Sequence, residues 1–238
     1  MISLEDAEEI IRRSVRVFQE AREQWWEQEG GKDSGRVYPV CLAAVGPYGA
    51  YLANGSEYVG RYGVSDDTLR EFHDSRVRLL LEEHPDYLLF ETMPSHNEVL
   101  IVTELTEQFG ADYWVSFSCL DGKHICEGDM IRDCAEALSH GHPHLKMIGV
   151  NCTKPQYVES LIHELQSGCD LPIAVYPNSG ETWEPVKKIW YGGSGKVSFG
   201  EYARRYYAAG ASAVGGCCTT VDTHIRQVAQ ARQSLTDA

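Results

Sequence analysis

Residues 87–119 read YLLFETMPSHNEVLIVTELTEQFGADYWVSFSC, and the fold turns on how that run divides. Tyr87 to Glu91 is short and apolar throughout, as a strand covered on both faces must be. Asn97 to Phe109 places Val99, Val102, Leu105 and Phe109 three or four residues apart, so it predicts a helix with one buried face. Asp112 to Cys119, rich in aromatic and β-branched residues, predicts a second strand. Apolar strand, amphipathic helix, apolar strand is the unit of a parallel sheet clad in helices.

The same alternation runs outward in both directions. Upstream, Leu4 to Gln28 has helical apolar spacing and is stopped by Glu29-Gly30-Gly31, with no strand before it. Arg36 to Val45 reads as a strand feeding a Gly-Pro-Tyr-Gly loop at Gly46. Ser65 caps a helix from about Asp67 to Glu83. Downstream follow helix Met130 to Ser139, strand Lys146 to Asn151, helix Gln156 to Gln166, strand Leu171 to Tyr176, helix Phe199 to Ala209, strand Ala211 to Gly215 and helix Thr223 to Leu235. Between Pro177 and Val197 the pattern is irregular. The expected fold class is α/β, with six strand-helix units. Periodicity alone leaves a closed barrel and an open doubly wound sheet both standing. No low-complexity linker interrupts the chain, so residues 1–238 are expected to form a single domain.

A 238-residue chain with 43% hydrophobic residues has enough apolar material for a sizeable core, which excludes disorder. Its 21 basic against 35 acidic residues give a charge of −14, repelling a phosphate backbone and an anionic membrane surface, so neither nucleic acid nor membrane is an expected partner. No apolar run approaches the ~20 residues of a bilayer span. The acidic opening residues do not read as a secretory signal, and the expected location is the cytoplasm.

In such folds ligands bind where strands end at their carboxyl side. Those ends contain Glu91-Thr92-Met93-Pro94, Asn151-Cys152, Pro177-Asn178-Ser179-Gly180 and Gly215-Gly216-Cys217-Cys218. Cys152, Cys217 and Cys218 therefore arrive at one rim. Three thiolates with no fourth protein ligand would make a zinc site with an open position, the form catalytic zinc takes. Packed cysteines and redox chemistry are the competing readings. Cys41, Cys119, Cys126, Cys134 and Cys169 have no such grouping and read as packed or surface thiols. His140, His142 and His144 sit in a polar loop broken by Gly and Pro, and Gly192 to Gly195 is only loosely like a phosphate loop. Asn178 and Ser179 read as turn residues. Tyr48 and Tyr51 could face a cation or pack in the core.

Gly149-Val-Asn-Cys152, Tyr176-Pro-Asn-Ser-Gly-Glu181, Gly215-Gly-Cys-Cys218, Gly46-Pro-Tyr-Gly-Ala-Tyr-Leu52 with Asn54-Gly-Ser-Glu-Tyr58, and Phe90-Glu-Thr92 together resemble the homocysteine S-methyltransferases, most closely the S-methylmethionine-using type. The resemblance runs from about Leu4 to Leu235. It implies a (β/α)8 TIM-barrel type fold of which this chain carries about six of eight strand-helix units, the N-terminal two being absent. It further implies Zn2+ held by Cys152, Cys217 and Cys218, and methyl transfer from a sulfonium donor, S-methylmethionine or S-adenosylmethionine, to homocysteine, giving methionine. Glu91 takes the place of the family's substrate-anchoring acid, with an ion pair to a neighbouring cation as its alternative role. Asn151 either touches substrate or fixes its loop. Thr219 stands where the family commonly has a basic residue. Two missing strands would leave open sheet edges, hence expected self-association. The alternative function is a truncated, catalytically incompetent homologue that binds zinc or a partner chain.

Overall fold

The apolar strands are covered on both faces, as their composition requires. In the computed structural model, which describes residues 2–184, 187–192 and 197–236, helix α1 (Leu4–Gln28) precedes strand β1 (Leu42–Val45), the short helix α2 (Tyr48–Leu52) and helix α3 (Asp66–Leu81). Then come β2 (Tyr87–Met93), α4 (His96–Phe109), β3 (Tyr113–Phe117), α5 (Ile131–Leu138), β4 (Leu145–Asn151), α6 (Pro155–Gly168) and β5 (Ile173–Tyr176). A small antiparallel hairpin, β6 (Thr182–Glu184) and β7 (Ile189–Tyr191), leads to α7 (Phe199–Ala208), β8 (Ala213–Val214) and α8 (Asp222–Thr236).

Helix starts follow local chemistry. Ser3, Ser65, Ser95 and Ser198 each accept a hydrogen bond from the backbone N–H three residues on, satisfying a donor the helix leaves free.

All six long-range strands are parallel and lie in the order β1-β2-β3-β4-β5-β8. Each strand neighbours the one before it in that series. A doubly wound sheet would reverse direction at a switch point, so this order is that of a TIM-barrel wall. The registers Val45↔Phe90, Phe90↔Val115, Val115↔Ile148 and Ile148↔Ile173 align the strand ends on one rim. Phe90, Val115, Ile148 and Val175 are buried against Val99, Val102, Leu161 and Ile162 of the cladding helices. Among the described residues β1 and β8 each lack a partner on one side. No helix is long and apolar enough to cross a membrane.

The helices and strands read from sequence are present to within a few residues, with three differences. The strand expected from Arg36 is confined to 42–45, and Val37 is exposed. Helix α2 sits in the Gly-Pro-Tyr-Gly loop, and the irregular stretch after Pro177 contains the β6–β7 hairpin. Of the glycine-rich Gly192 to Gly195, residues 193–195 lie outside the described residues.

Candidate metal centre and substrate site

Three strand-end loops lace together at the rim. Asn178 N donates to Thr153 O (3.1 Å), Cys217 N to Pro177 O (2.8 Å), and Ser179 N to Cys218 O (3.2 Å), tying the segments after β4, β5 and β8 to one another. The result brings Cys152, Cys217 and Cys218 into one cluster. Their Sγ atoms are 2.8 Å (152–217), 3.6 Å (152–218) and 4.0 Å (217–218) apart, and all eight cysteines are free thiols.

The donor set fits a zinc ion. Tetrahedral thiolates at about 2.3 Å from zinc stand about 3.8 Å apart, and two of the three separations straddle that value. The third is a close hydrogen-bonded contact between the Cys152 and Cys217 thiols. The contacts with Cys152 first and Cys218 second draw the Cys217 thiol down, and the reciprocal contact with Cys217, followed by that with Cys218 and by burial, pushes Cys152 far up. Three converging sulfur donors with an open fourth direction suit a soft, thiophilic cation.

Backbone strain concentrates here. Cys152 (φ 48°), Thr219 (φ 62°) and Thr92 (φ 61°) adopt left-handed conformations, which side-chain-bearing residues keep only where their surroundings over-determine them. Asn151 supplies that restraint for Thr92. Fully buried, its Oδ1 accepts from Thr92 N and Ser116 Oγ, both at 2.8 Å, and its Nδ2 donates to Thr92 Oγ1 at 2.8 Å and reaches Cys217 Sγ at 3.8 Å. Gly149, one turn of the pleat earlier, has no room for a side chain, since a Cβ there would lie 1.7 Å from Ala174 O. The β4–β5 approach that sets the Cys152 loop therefore requires glycine.

Glu91 lies near the end of β2, half-buried, and among the described residues it makes no ion pair. Burial first and the Cys217 charge second push its carboxyl up, while the nearby Tyr176 phenol acts the other way. An uncompensated, partly buried carboxylate beside the thiols is suited to accept an ammonium group. The neighbouring rim loop is held by Glu98, fully buried, which accepts from Tyr48 N (2.6 Å) and Tyr62 Oη (2.9 Å) and pairs with His73 Nε2 (2.8 Å).

Beside Cys152 opens a cavity of about 330 Å³, lined in part by Tyr58, Lys154, Asn178, Glu181, Trp183 and Trp190. Burial above all pushes the Tyr58 phenol far up, so it stays a neutral donor. Tyr58 ends one of the motifs that carry the resemblance but had no role assigned to it, and Trp183 and Trp190 carry no sequence signal of their own. Cys119 and Cys126, read as packed or surface thiols, line the same cavity. Tyr48 packs edge-on against Phe72 at 5.0 Å, and Tyr51 lines a separate groove with Ile10. His144 pairs with Asp112 (2.9 Å), and among the described residues the histidine tract forms no ligand cluster.

Comparison with known proteins gives a consistent result. The chain matches the family described as homocysteine S-methyltransferase over residues 1–232. It is 41% identical over 235 residues to homocysteine S-methyltransferase YbgG of Bacillus subtilis, covering 98% of this chain and 74% of that protein. It is 39% identical to homocysteine S-methyltransferase 1 of Zea mays, covering 96% and 73%. Among solved structures, the metallated form of the homocysteine methyltransferase MmuM from Escherichia coli superposes with a TM-score of 0.79 at 33% identity, covering 93% of this chain and 69% of that one.

Proposed function

Because the chain belongs to the homocysteine S-methyltransferase family, we propose that it transfers a methyl group from a sulfonium donor, S-methylmethionine or S-adenosylmethionine, to homocysteine, giving methionine, with Cys152, Cys217 and Cys218 holding Zn2+. The observation that carries this reading is the convergence of three sulfur atoms within 4.8 Å of one another beside an open cavity. Zinc, when bound, supplies the positive charge that keeps a substrate sulfur as thiolate at neutral pH.

The chain's own residues do the rest. Glu91 accepts the ammonium of homocysteine and so places its sulfur at the thiol cluster. Asn151 serves the substrate site by fixing the position of Cys217 and the left-handed Thr92 beside Glu91. The thiol proton leaves to solvent, the thiolate forms a new bond to the methyl carbon, and the sulfonium carbon–sulfur bond breaks with its electron pair on the departing sulfur. Holding both substrates in line supplies the entropic part of the acceleration. The edges of β1 and β8, unpaired among the described residues, favour association with a second copy, which sedimentation of the purified chain reports.

The test is methionine formation by the purified chain from homocysteine and each donor, with zinc quantified on the same sample. The expected result is turnover with about one zinc per chain, in the ratio a single tetrahedral site allows. Zinc without turnover on either donor would favour the catalytically incompetent homologue instead.

A further inference from the structure

A carboxylate and an imidazole are buried together away from the thiol cluster. Glu98, in the first turn of α4, and His73, on α3, are both fully buried, with Oε1 2.8 Å from Nε2. Well-packed apolar side chains often fill such positions with no loss of stability, so a buried pair points to something its directional bonds fix. Glu98 Oε1 also accepts from Tyr48 N (2.6 Å), and Oε2 accepts from Tyr62 Oη (2.9 Å). Tyr48 opens α2, whose N-cap Pro47 makes no side-chain cap, so that helix's free N–H is satisfied by a carboxylate from another element. His73 Nδ1 has no partner, which leaves the ring's hydrogen bonding directed at Glu98.

What these bonds hold is one wall of the site. Between Tyr48 and Tyr62 the chain folds so tightly that a Cβ on Gly49 would lie 2.6 Å from Glu57 N and 2.7 Å from a Tyr62 ring carbon. Gly55, Tyr58 and Val59 of this segment line the cavity beside Cys152, and Tyr58 is the one polar side chain among them. Glu98 is itself fixed on the helix that follows β2, its backbone N donating to Ser95 Oγ (3.3 Å). A single carboxylate therefore ties the strand that carries Glu91 to the loop that presents Tyr58. A second carboxylate, Glu127, accepts from Arg61 N (2.6 Å), but that contact is exposed to water, and the bonds to fully buried Glu98 are the stronger anchor.

Resting on the methyl-transfer reading above, we propose that the Glu98–His73 pair is a positioning device for turnover, with Glu98 fixing the loop from Tyr48 to Tyr62 so that Tyr58 stands at the cavity wall beside Cys152, and His73 orienting the carboxylate. Glu98 touches no reacting atom and acts through Tyr58. In-line transfer depends on such placement, since a displacement of about 1 Å costs roughly a hundredfold in rate.

Amide hydrogen exchange and steady-state kinetics on the purified zinc-containing chain, beside Glu98→Gln, Tyr62→Phe and Tyr58→Phe, test this. Glu98→Gln keeps the shape of the side chain and one acceptor oxygen and removes the charge. It is expected to speed exchange at Ala50, Tyr58, Val59 and Gly60, whose N–H groups bond only within the loop, at least about tenfold, the factor that loss of one charge-assisted hydrogen bond gives. Exchange in β3 to β5 and zinc content stay as in the parent. The value of kcat is expected to fall at least about tenfold with little change in the homocysteine KM, because Glu91 keeps its place on β2; a general loss of stability would move both, and zinc with them. Tyr62→Phe, which removes one donor and keeps the ring, moves loop exchange and kcat the same way by less, and it carries the test if Glu98→Gln does not fold. Adding Tyr58→Phe to Glu98→Gln is expected to lower kcat by less than Tyr58→Phe does in the parent, since a displaced Tyr58 has already lost its contribution. The proposal is overturned if loop exchange in Glu98→Gln matches the parent, if the loop loosens with no loss of kcat, or if the Glu98 and Tyr58 effects on kcat multiply independently. A parent chain that makes no methionine from either donor refutes the methyl-transfer reading instead, and the exchange data then decide whether Glu98 holds the loop.

Discussion

Replacing Asn151 by Ala removes a side chain that is fully buried and uses both of its polar atoms. Two donors at 2.8 Å, Thr92 N–H and Ser116 O–H, lose their acceptor, and Thr92 Oγ1 loses a donor. Each buried donor left unpaired costs about 1–3 kcal/mol, so the pair costs roughly 2–6 kcal/mol. Thr92 also loses the contact that holds it at φ 61°, a conformation carrying about 1–2 kcal/mol of its own. Relaxation of the loop recovers part of this, leaving an expected loss of about 3–5 kcal/mol out of a total near 5–15 kcal/mol. In urea the midpoint should fall with little change in slope, and the thermal midpoint should drop by roughly 6–20 °C. Ser116→Ala, which removes one donor and leaves Oδ1 bonded to Thr92, should cost only about 1 kcal/mol. If Asn151→Ala costs no more than Ser116→Ala, the claim that Asn151 restrains the rim is wrong.

Two further perturbations follow from the same geometry. Gly149→Ala forces a Cβ to 1.7 Å from a backbone oxygen, so it should destabilise by at least about 3 kcal/mol and lower zinc occupancy, both read on one purified sample. At Asp112, burial pushes the carboxyl up but hydrogen bonds from His144 and Lys146 outweigh it, and the folded-state value is lowered. The resulting stability is present above the unfolded value of about 3.9 and is lost as pH falls through the lower folded one. Because the group is exposed and screened, Asp112→Asn should cost under about 1 kcal/mol at pH 7, with the difference closing below about pH 4 in denaturant titrations at several pH values.

Much of the architecture was legible because apolar strands and amphipathic helices differ in period. Leu4–Gln28 was bounded at its end by Glu29-Gly30-Gly31, and Tyr87 onward was marked by an apolar run with no polar face. Strand order was not legible, since every buried strand has the same apolar composition; only the pairing of β1 through β8 excludes a doubly wound sheet. Helix α2 spans five residues and each strand of the hairpin three, too short for periodicity to register. The cysteine cluster was legible because strand ends are where such folds bind ligands, so Cys152, Cys217 and Cys218 could be grouped across 65 residues of chain. Asn178 was not, because Pro-Asn-Ser-Gly reads as a turn and the missing partner of its Oδ1 exists only in three dimensions. Glu98 escaped for the same reason, since its partners Tyr48, Tyr62 and His73 come from other elements.

The most direct test of the account is the zinc stoichiometry of the purified chain beside Cys217→Ser and Cys218→Ser, with methyl transfer to homocysteine measured on each sample. The account predicts about one zinc per chain and turnover in the parent, and loss of both in either variant, as expected when one of three protein ligands is removed. Full zinc occupancy retained in both serine variants, or turnover by a parent chain that binds no metal, would contradict it.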